Sequence, residues 1–158
     1  MVDYIENILD YMLEGYEGKV TSPSANNIFE VNENGTPLDP NSNDLYHHFM
    51  ARLLYLEKRA RPDILPEIAY LTTRIKEPNA DNQKKRIKIM KYIWATKYMP
   101  LNLEADGSGQ IQWWVDVAFD IYPTIRSHMC GMMSLVKGAA VSASKKKKYT
   151  DFLGEVFP

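Results

Sequence analysis

The sequence contains only one cysteine and no long hydrophobic run. These two features exclude a disulfide-linked fold and argue against a membrane-spanning protein. Cys130 is the single cysteine among 158 residues, so no disulfide can form within the chain. No basic N-terminus precedes an apolar stretch of the kind that marks a signal peptide or a membrane span. The sequence also shows no internal repeat. We therefore expect an intracellular globular protein, cytoplasmic or nuclear, without a membrane partner.

Charges of opposite sign are concentrated in different parts of the chain, although the net charge is only −1. Residues 1–51 contain one basic and nine acidic residues, a balance of −8. Residues 52–97 contain twelve basic and five acidic residues, a balance of +7, and residues 98–158 contain six of each. A middle segment this basic suits a polyanion such as nucleic acid. The alternative is a solvated helix face.

The first hundred residues show the apolar periodicity of helices. The spacing predicts a first helix over residues 2–14, and the composition of residues 17–43 predicts a long loop packed against something larger. A second helix capped by Asn43 or Asp44 and a third beginning at Pro62 follow. A fourth helix covers residues 80–97. Its predicted inward side chains are Ile87, Met90, Ile93 and Trp94, and its predicted basic face consists of Lys84, Lys85, Lys88 and Lys91.

After Met99 the pattern becomes that of strands. Residues 101–119 predict a strand, a turn at Asp106–Gly107 and a second strand, and residues 127–144 predict two more strands joined at Lys137–Gly138. Gly131 is expected to interrupt the first of these two. The sequence therefore predicts an α+β chain in which about four helices are followed by an incomplete antiparallel β-sheet.

A series of short motifs runs along the chain in a fixed order. They are "YIENIL", "VTSP", "LLYL", "ARPDI", "IKEP", "MKYIWATK", "WWVDVAF", "RSHMCG" and "SASKKKK". By their order and spacing, the chain resembles the copia-type (Pseudoviridae-like) LTR retrotransposon Pol polyprotein. The resemblance implies that residues 1–97 are a helical reverse-transcriptase thumb/connection segment. It also implies that residues 98–158 are the truncated N-terminal part of a ribonuclease-H-like domain, and it places the protein in a virus-like particle.

Asp116 stands near the middle of a run, residues 110–122, that otherwise has the composition of a buried strand. The resemblance implies that Asp116 is a remnant catalytic residue and metal ligand of ribonuclease H, which uses two Mg²⁺ ions about 3.5–4 Å apart. Mg²⁺ requires several oxygen ligands. Glu155 falls near the position of a second ligand in unmatched surroundings, and Asp120 lies roughly 13 Å along the strand from Asp116. We therefore expect an incomplete site without stable Mg²⁺ binding or independent turnover.

The basic middle segment and the resemblance together predict contact with nucleic acid. The expected partner is the backbone of an RNA–DNA hybrid or another nucleic acid, together with the rest of the polyprotein. A lysine-rich helix face contacts phosphates without reading the sequence. The candidate contacts are Lys84, Lys85, Arg86, Lys88, Lys91 and Arg61. The Tyr-x-Asp-Asp motif of the polymerase palm is absent, and a non-enzymatic binding module using helix 81–97 is the alternative function.

Two further groups of side chains have structural interpretations. His128 and Cys130 share one strand face, but no acidic partner for a catalytic dyad is evident. Trp113 and Trp114 are expected to pack in the strand, with one ring in the core, rather than to stack on bases.

Overall fold

The structure is a computed structural model that describes residues 1–11, 20–24, 26–122 and 126–147. The chain divides into two compact units. The helical unit comprises Met1–Ile28 and Asn32–Pro100, and the strand unit comprises Phe29–Val31 and Leu101–Pro158. Because helices precede antiparallel strands along the chain, the predicted α+β class is confirmed. The assignment of these parts to a thumb/connection and to ribonuclease H stays a prediction.

Within the described residues, the helical unit contains four α-helices and one short 3-10 turn. They are α1 (Val2–Asp10), α2 (Pro40–Arg59), the 3-10 turn Pro62–Ile64, α3 (Leu65–Thr72) and α4 (Ala80–Ala95). Helix α1 buries Ile5, Ile8 and Leu9, which are on one helical face. Tyr11 is the C-cap of α1, and residues 12–14 of the predicted helix lie outside the described residues.

Helix α2 begins earlier than Asn43 or Asp44, the residues predicted to cap it. Asp39 is the N-cap, and its Oδ1 accepts a hydrogen bond of 3.0 Å from the backbone N–H of Ser42. Pro40 follows at the first helical position, where no intrahelical N–H donor is required. The prediction was wrong by one turn because the preceding polar run offers several residues that can cap a helix.

The predicted third helix is divided into two parts. Pro62 begins the 3-10 turn, and α3 begins only at Leu65, with Pro66 in its first turn. The spacing of the buried residues is nevertheless as predicted, because Ile64, Ile68 and Leu71 are all buried while Ile75 is half-buried. Pro62 thus begins the tight turn, and Pro66, four residues later, lies in the first turn of the short helix, where its missing N–H is tolerated.

Asn79 fixes the start of α4 and holds the preceding loop against it. Its Oδ1 accepts hydrogen bonds from the N–H groups of Asp81 and Asn82, and the Asn82 side chain accepts one from the Asn79 N–H, which forms a capping box. The Asn79 amide also donates to the carbonyl of Asn32 at 2.8 Å. A short bridge at Pro37 completes this junction between the loop and α4.

The core of the helical unit is centred on α2. The fully buried apolar side chains of this core are Ile8 from α1, Tyr46, Phe49, Met50, Leu53 and Leu56 from α2, Ile64, Ile68, Tyr70 and Leu71 from the turn and α3, and Ile89, Met90 and Ile93 from α4. Met90 and Ile93 therefore point inward as predicted. Trp94 does not, because it is exposed, and Ile87 is half-buried.

The described part of the strand unit contains two antiparallel sheets. A three-stranded sheet has the order β2 (Gln112–Tyr122), β3 (Arg126–Ser134) and β5 (Val141–Lys146). Strands β1 (Glu104–Ala105) and β4 (Val136–Lys137) form a two-stranded sheet. The predicted interruption at Gly131 was wrong, since Gly131 lies within β3 and pairs with both Val115 and Ala143.

The predicted first two strands occur as β1 and β2, but they do not form a hairpin, because β1 pairs with β4. The intervening segment is a loop rather than a two-residue turn. Gly107 and Gly109 both adopt positive φ, and side chains bond to the backbone within the loop, from Ser108 N–H to Asp106 and from Gln110 N–H to Ser108. The predicted joint at Lys137–Gly138 does contain a left-handed residue, since Gly138 has φ of 71°.

Candidate nucleic-acid interface and remnant carboxylate

Arg61 is bound inside the helical unit. It is 1% exposed, and its Nε and Nη2 donate to the Asp63 carboxylate at 2.9 and 2.8 Å. Nη2 also donates to Thr96 Oγ1 at 2.7 Å, and Nη1 donates to the Thr96 carbonyl at 3.3 Å. Burial opposes the ionisation of Asp63, but the hydrogen bonds and charge of Arg61 outweigh it and lower the Asp63 pKa. This burial does not fit the predicted phosphate contact by Arg61.

Two of the predicted basic contacts on α4 are also buried. Lys85 is 3% exposed, its Nζ pairs with Asp81 at 2.9 Å, and it lies 5.4 Å from the Tyr70 ring centroid. Arg86 is 2% exposed and its guanidinium carbon lies 4.5 Å from the Phe49 ring centroid. Burial lowers the pKa of Arg86 to about 10. The predicted basic face was therefore wrong to include Lys85, and Arg86 is likewise withdrawn from the surface.

Of the remaining lysines on α4, Lys84 is exposed, and Lys88 and Lys91 are half-buried. The Lys88 ammonium group donates to the carbonyl of Ser24, so part of its hydrogen-bonding capacity is used internally. Lys84 and Lys91 thus provide the accessible charge of this helix. Their contact with nucleic acid stays a prediction.

Aromatic side chains extend this reduced basic surface, which the sequence interpretation missed. Trp94 and Tyr98 follow Lys91 by three and seven residues and are both exposed. The Lys97 Nζ lies 4.8 Å from the Tyr98 ring centroid and pairs with Glu6 at 3.2 Å. Exposed rings beside lysines can stack on bases while the lysines contact phosphates. The spacing of three residues between Lys91 and Trp94 was the signal available in the sequence, whereas Tyr98 lies beyond the end of α4.

Asp116 lies on an exposed strand rather than on a buried one, which corrects the sequence interpretation. Its side chain is exposed, and it stands opposite Cys130 on β3. Trp113 and Trp114 are also exposed, so the expectation that one ring fills the core was wrong. Successive side chains of a strand point to opposite faces of the sheet, so residues 112–116 are exposed on both faces.

The residues that the structure describes do not fit a two-metal Mg²⁺ site. Across residues 1–11, 20–24, 26–122 and 126–147, no group of three His, Cys, Asp or Glu side chains could hold a metal ion. Glu155 lies outside the described residues, and only the backbone of Asp120 is described. Since Mg²⁺ requires converging oxygen ligands, the role of Asp116 as a metal ligand stays a prediction.

A buried imidazole connects two hydroxyl groups in the strand unit. His128 Nδ1 is 2.7 Å from the Tyr122 hydroxyl, and His128 Nε2 is 2.5 Å from Ser144 Oγ. Ser144 in turn lies 3.4 Å from Cys130 Sγ, which places the serine between the histidine and the thiol. Burial lowers the His128 pKa, so the imidazole favours its neutral form. These contacts link β2, β3 and β5.

No helix in the part of the chain described is both long enough and apolar enough to cross a membrane.

Comparison with known proteins gives one informative similarity. The chain is 25% identical over 145 residues to the Saccharomyces cerevisiae protein named "Putative transposon Ty5-1 protein", a match that covers 85% of this chain and 47% of that protein. The chain therefore spans about half the length of the curated relative it matches. No family model matches the chain, and no solved structure matches it. The similarity supports a retrotransposon origin.

Proposed function

We propose that this chain is a segment of a copia-type retrotransposon Pol polyprotein, reaching from the reverse-transcriptase thumb and connection into the start of ribonuclease H. In this proposal it binds nucleic-acid backbone without completing a catalytic site. The observation that carries the proposal is the similarity to the yeast Ty5-1 protein over 85% of the chain. The motif order of the sequence points to the same origin.

Contacts between two of the motifs support this assignment. Arg61 and Asp63 belong to "ARPDI", and Thr96, which accepts two hydrogen bonds from Arg61, belongs to "MKYIWATK". Hydrogen bonds between residues 35 positions apart therefore join the two motifs inside the helical unit. These bonds give a structural reason for the two motifs to occur together.

The accessible charge and rings favour binding over cleavage. Lys84 and Lys91 can neutralise phosphates, and Trp94 and Tyr98 can stack on unpaired bases at a strand end or junction. No described cluster of acidic groups supplies a metal site beside Asp116. In the part of the chain that the structure describes, the accessible lysines and rings thus favour binding to the nucleic-acid backbone.

Salt-dependent binding to an RNA–DNA hybrid tests this role. Wild-type protein should bind with an affinity that falls as salt rises, because bound cations release counterions from the phosphates. The double variant Lys84→Gln/Lys91→Gln should bind more weakly and reduce the logarithmic salt slope by about 1.8, since each phosphate contact contributes about 0.9. Lys58→Gln, an exposed lysine on α2, is the matched control. Absence of binding at moderate salt would overturn the proposal.

A cleavage assay separates this proposal from the enzymatic alternative. Wild-type protein with Mg²⁺ should leave the RNA strand of the hybrid intact. Cleavage that disappears in Asp116→Asn would show an active ribonuclease H instead. Reading frames that encode Tyr-x-Asp-Asp upstream and Ser-Ser-x-Glu downstream would support the polyprotein origin. Flanks without them would favour the alternative of a separate nucleic-acid-binding module.

A further inference from the structure

We propose that Arg86 and Arg74, beside Tyr46, form a binding site for a phosphate-type oxyanion within the helical unit. This site is separate from the exposed lysines of α4. It does not depend on the binding of nucleic acid by Lys84 and Lys91.

Arg86 is a buried cation with unused hydrogen-bond donors. It is 2% exposed, and its Nε and Nη1 have no hydrogen-bond partner among the residues that the structure describes. Its guanidinium carbon lies 4.5 Å from the ring centroid of Phe49. A ring face attracts the charge, but it does not satisfy the N–H groups as an oxygen would. Since buried polar groups are costly without hydrogen bonds, these donors require an acceptor.

Arg61 shows how the same unit satisfies a buried arginine with its own residues. Its guanidinium group is paired with the Asp63 carboxylate and donates to Thr96. The ion pairs of the described residues include no such carboxylate for Arg86. A buried charge without an opposite charge beside it is strongly unfavourable. An anion at Arg86 would supply what Asp63 supplies at Arg61.

Arg74 brings a second guanidinium group to the same region. The charges of Arg74 and Arg86 both oppose the rise in pKa that burial causes at the Tyr46 hydroxyl, so both lie near that hydroxyl. The Leu71 carbonyl accepts hydrogen bonds from the Tyr46 hydroxyl at 3.3 Å and from the Arg74 N–H at 3.0 Å. Arg74 Nε is buried and has no hydrogen-bond partner within the described ranges. Two cations around one hydroxyl favour an anion.

The unused atoms around this region favour an oxyanion that carries a proton. Guanidinium groups bind phosphate oxygens through paired N–H donors. Gln83, which lies one turn before Arg86 on α4, has a buried Oε1 without a hydrogen-bond partner in the described residues. Inorganic phosphate keeps at least one proton at neutral pH. It can therefore donate to Gln83 while its other oxygens accept from the arginines, which sulfate and chloride cannot do.

The half-buried side chains of the site determine which phosphate can enter. Arg74 and Gln83 are half-buried, so solvent reaches the site through them, whereas Arg86 lies deeper. Inorganic phosphate or the terminal phosphate of a nucleic-acid strand suits such an entrance, because an internal phosphodiester is flanked by two sugars. We expect a dissociation constant on the order of 1 mM for inorganic phosphate, the weak end of specific binding.

Thermal unfolding of the full chain, with phosphate replacing chloride at constant ionic strength, tests the site. At about 10 mM phosphate, the ratio of folded to unfolded protein should rise about elevenfold. The Tm should therefore rise by about 3–6 °C. Arg86→Met should abolish this rise, and Arg74→Met should reduce it. Because Arg86→Met replaces an unpaired buried charge with an apolar chain of similar length, it should fold at least as stably as wild type in chloride.

Controls separate this site from other effects of phosphate. Arg59→Met, on an exposed arginine, and Lys84→Gln/Lys91→Gln should both keep the full rise. Sulfate should raise the Tm less than phosphate, once the general salt effect measured in Arg86→Met is subtracted. An oligonucleotide with a 5′-phosphate, compared with its 5′-hydroxyl form, shows whether a terminal phosphate also enters the site.

Four results would overturn the proposal. They are equal Tm values in phosphate and chloride, as expected if water satisfies Arg86, a full rise in folded Arg86→Met, loss of the rise in Lys84→Gln/Lys91→Gln, and an equal effect of sulfate. Circular dichroism establishes that each variant is folded. If Arg86→Met unfolds, Arg74→Met replaces it, and a full rise in folded Arg74→Met would likewise overturn the site.

Discussion

Replacing Arg61 by methionine should destabilise the helical unit strongly, although Arg61 belongs to a basic segment expected to face nucleic acid. The substitution keeps an unbranched side chain of similar length but removes every donor. It leaves the Asp63 carboxylate without its cation and Thr96 without two donors. Breaking a buried ion pair from one side costs about 3–5 kcal/mol. Because the Asp63 side chain is 27% exposed and water can partly solvate it, we expect about 3 kcal/mol.

Urea unfolding followed by circular dichroism measures this loss in free energy of unfolding. Adding Asp63→Asn to Arg61→Met should restore about 1 kcal/mol or more, because the orphaned charge is removed. Arg61→Lys should also lose stability, since one ammonium group cannot reproduce the guanidinium fork. Arg59→Met, on the exposed neighbouring arginine, is the control and should change stability by less than about 0.5 kcal/mol.

The pH dependence provides a second test of the same ion pair. The Asp63 pKa is lowered in the folded protein, so its contribution to stability is present above the unfolded value of 3.8. That contribution is lost as the pH falls through the lowered folded pKa. Arg61→Met should remove this part of the acid dependence. A loss below about 1 kcal/mol, with an unchanged acid profile, would refute an internal role for Arg61.

Other buried and constrained positions give predictions that the same unfolding measurements can check. Glu57 is 1% exposed, and in the described structure neither of its carboxylate oxygens has a hydrogen-bond partner. Glu57→Leu should therefore raise the free energy of unfolding by about 1–3 kcal/mol. Burial raises the Glu57 pKa in the folded protein, so the free energy of unfolding of the wild type should fall as the pH rises from 4.5 through that raised pKa. Glu57→Gln should abolish this fall. An equal fall in the variant would contradict the role of Glu57. Gly138→Ala should lower the free energy of unfolding by about 1–3 kcal/mol, because Gly138 has φ of 71° and a Cβ there would collide with the Asn102 carbonyl oxygen. An unchanged free energy of unfolding would contradict this prediction. Asn79→Ala should cost about 1–2 kcal/mol through loss of the α4 cap, whereas Asn41→Ala, on an exposed residue of α2, should cost less than about 0.5 kcal/mol.

Apolar periodicity predicted the helices well because the core of this unit is built from them. The spacing of Phe49, Leu53 and Leu56 on α2 corresponds to residues that are fully buried. The start of α2 was less certain in the sequence, because several residues between Asp39 and Asp44 can cap a helix and local sequence does not rank them. The α+β class followed from the change in pattern after Met99.

The candidate interface was predicted less well, since the sequence interpretation assumed that cations point outward. The inward side of α4 contains Asn82, Lys85, Arg86 and Ile89, whose spacing of three, one and three residues defines one helical face. Lys85 pairs with Asp81 and lies beside the Tyr70 ring, and Arg86 lies against the Phe49 ring. The two rings belong to other helices. Such tertiary partners cannot be identified from the periodicity of one helix.

The strand order was unpredictable for a related reason. An Asp-Gly pair commonly marks a hairpin, but the backbone of β1 pairs with β4, more than thirty residues away. Likewise, the apolar composition of β2 indicates burial, although residues 112–116 are exposed. Composition shows which side chains can be buried, but their burial depends on what covers each face of the sheet.

The junction at Asn79 has a consequence for how the helical unit opens. One side chain both caps α4 and bonds to Asn32, and the Ala80 N–H donates to the Thr36 carbonyl nearby. Fraying of the first turn of α4 would therefore release the loop around residues 32–37 in the same event. Amide hydrogens on both sides of the junction should exchange with solvent at a common rate, as members of one cooperative unit. The loop around residues 32–37 would thus open and close together with the first turn of α4.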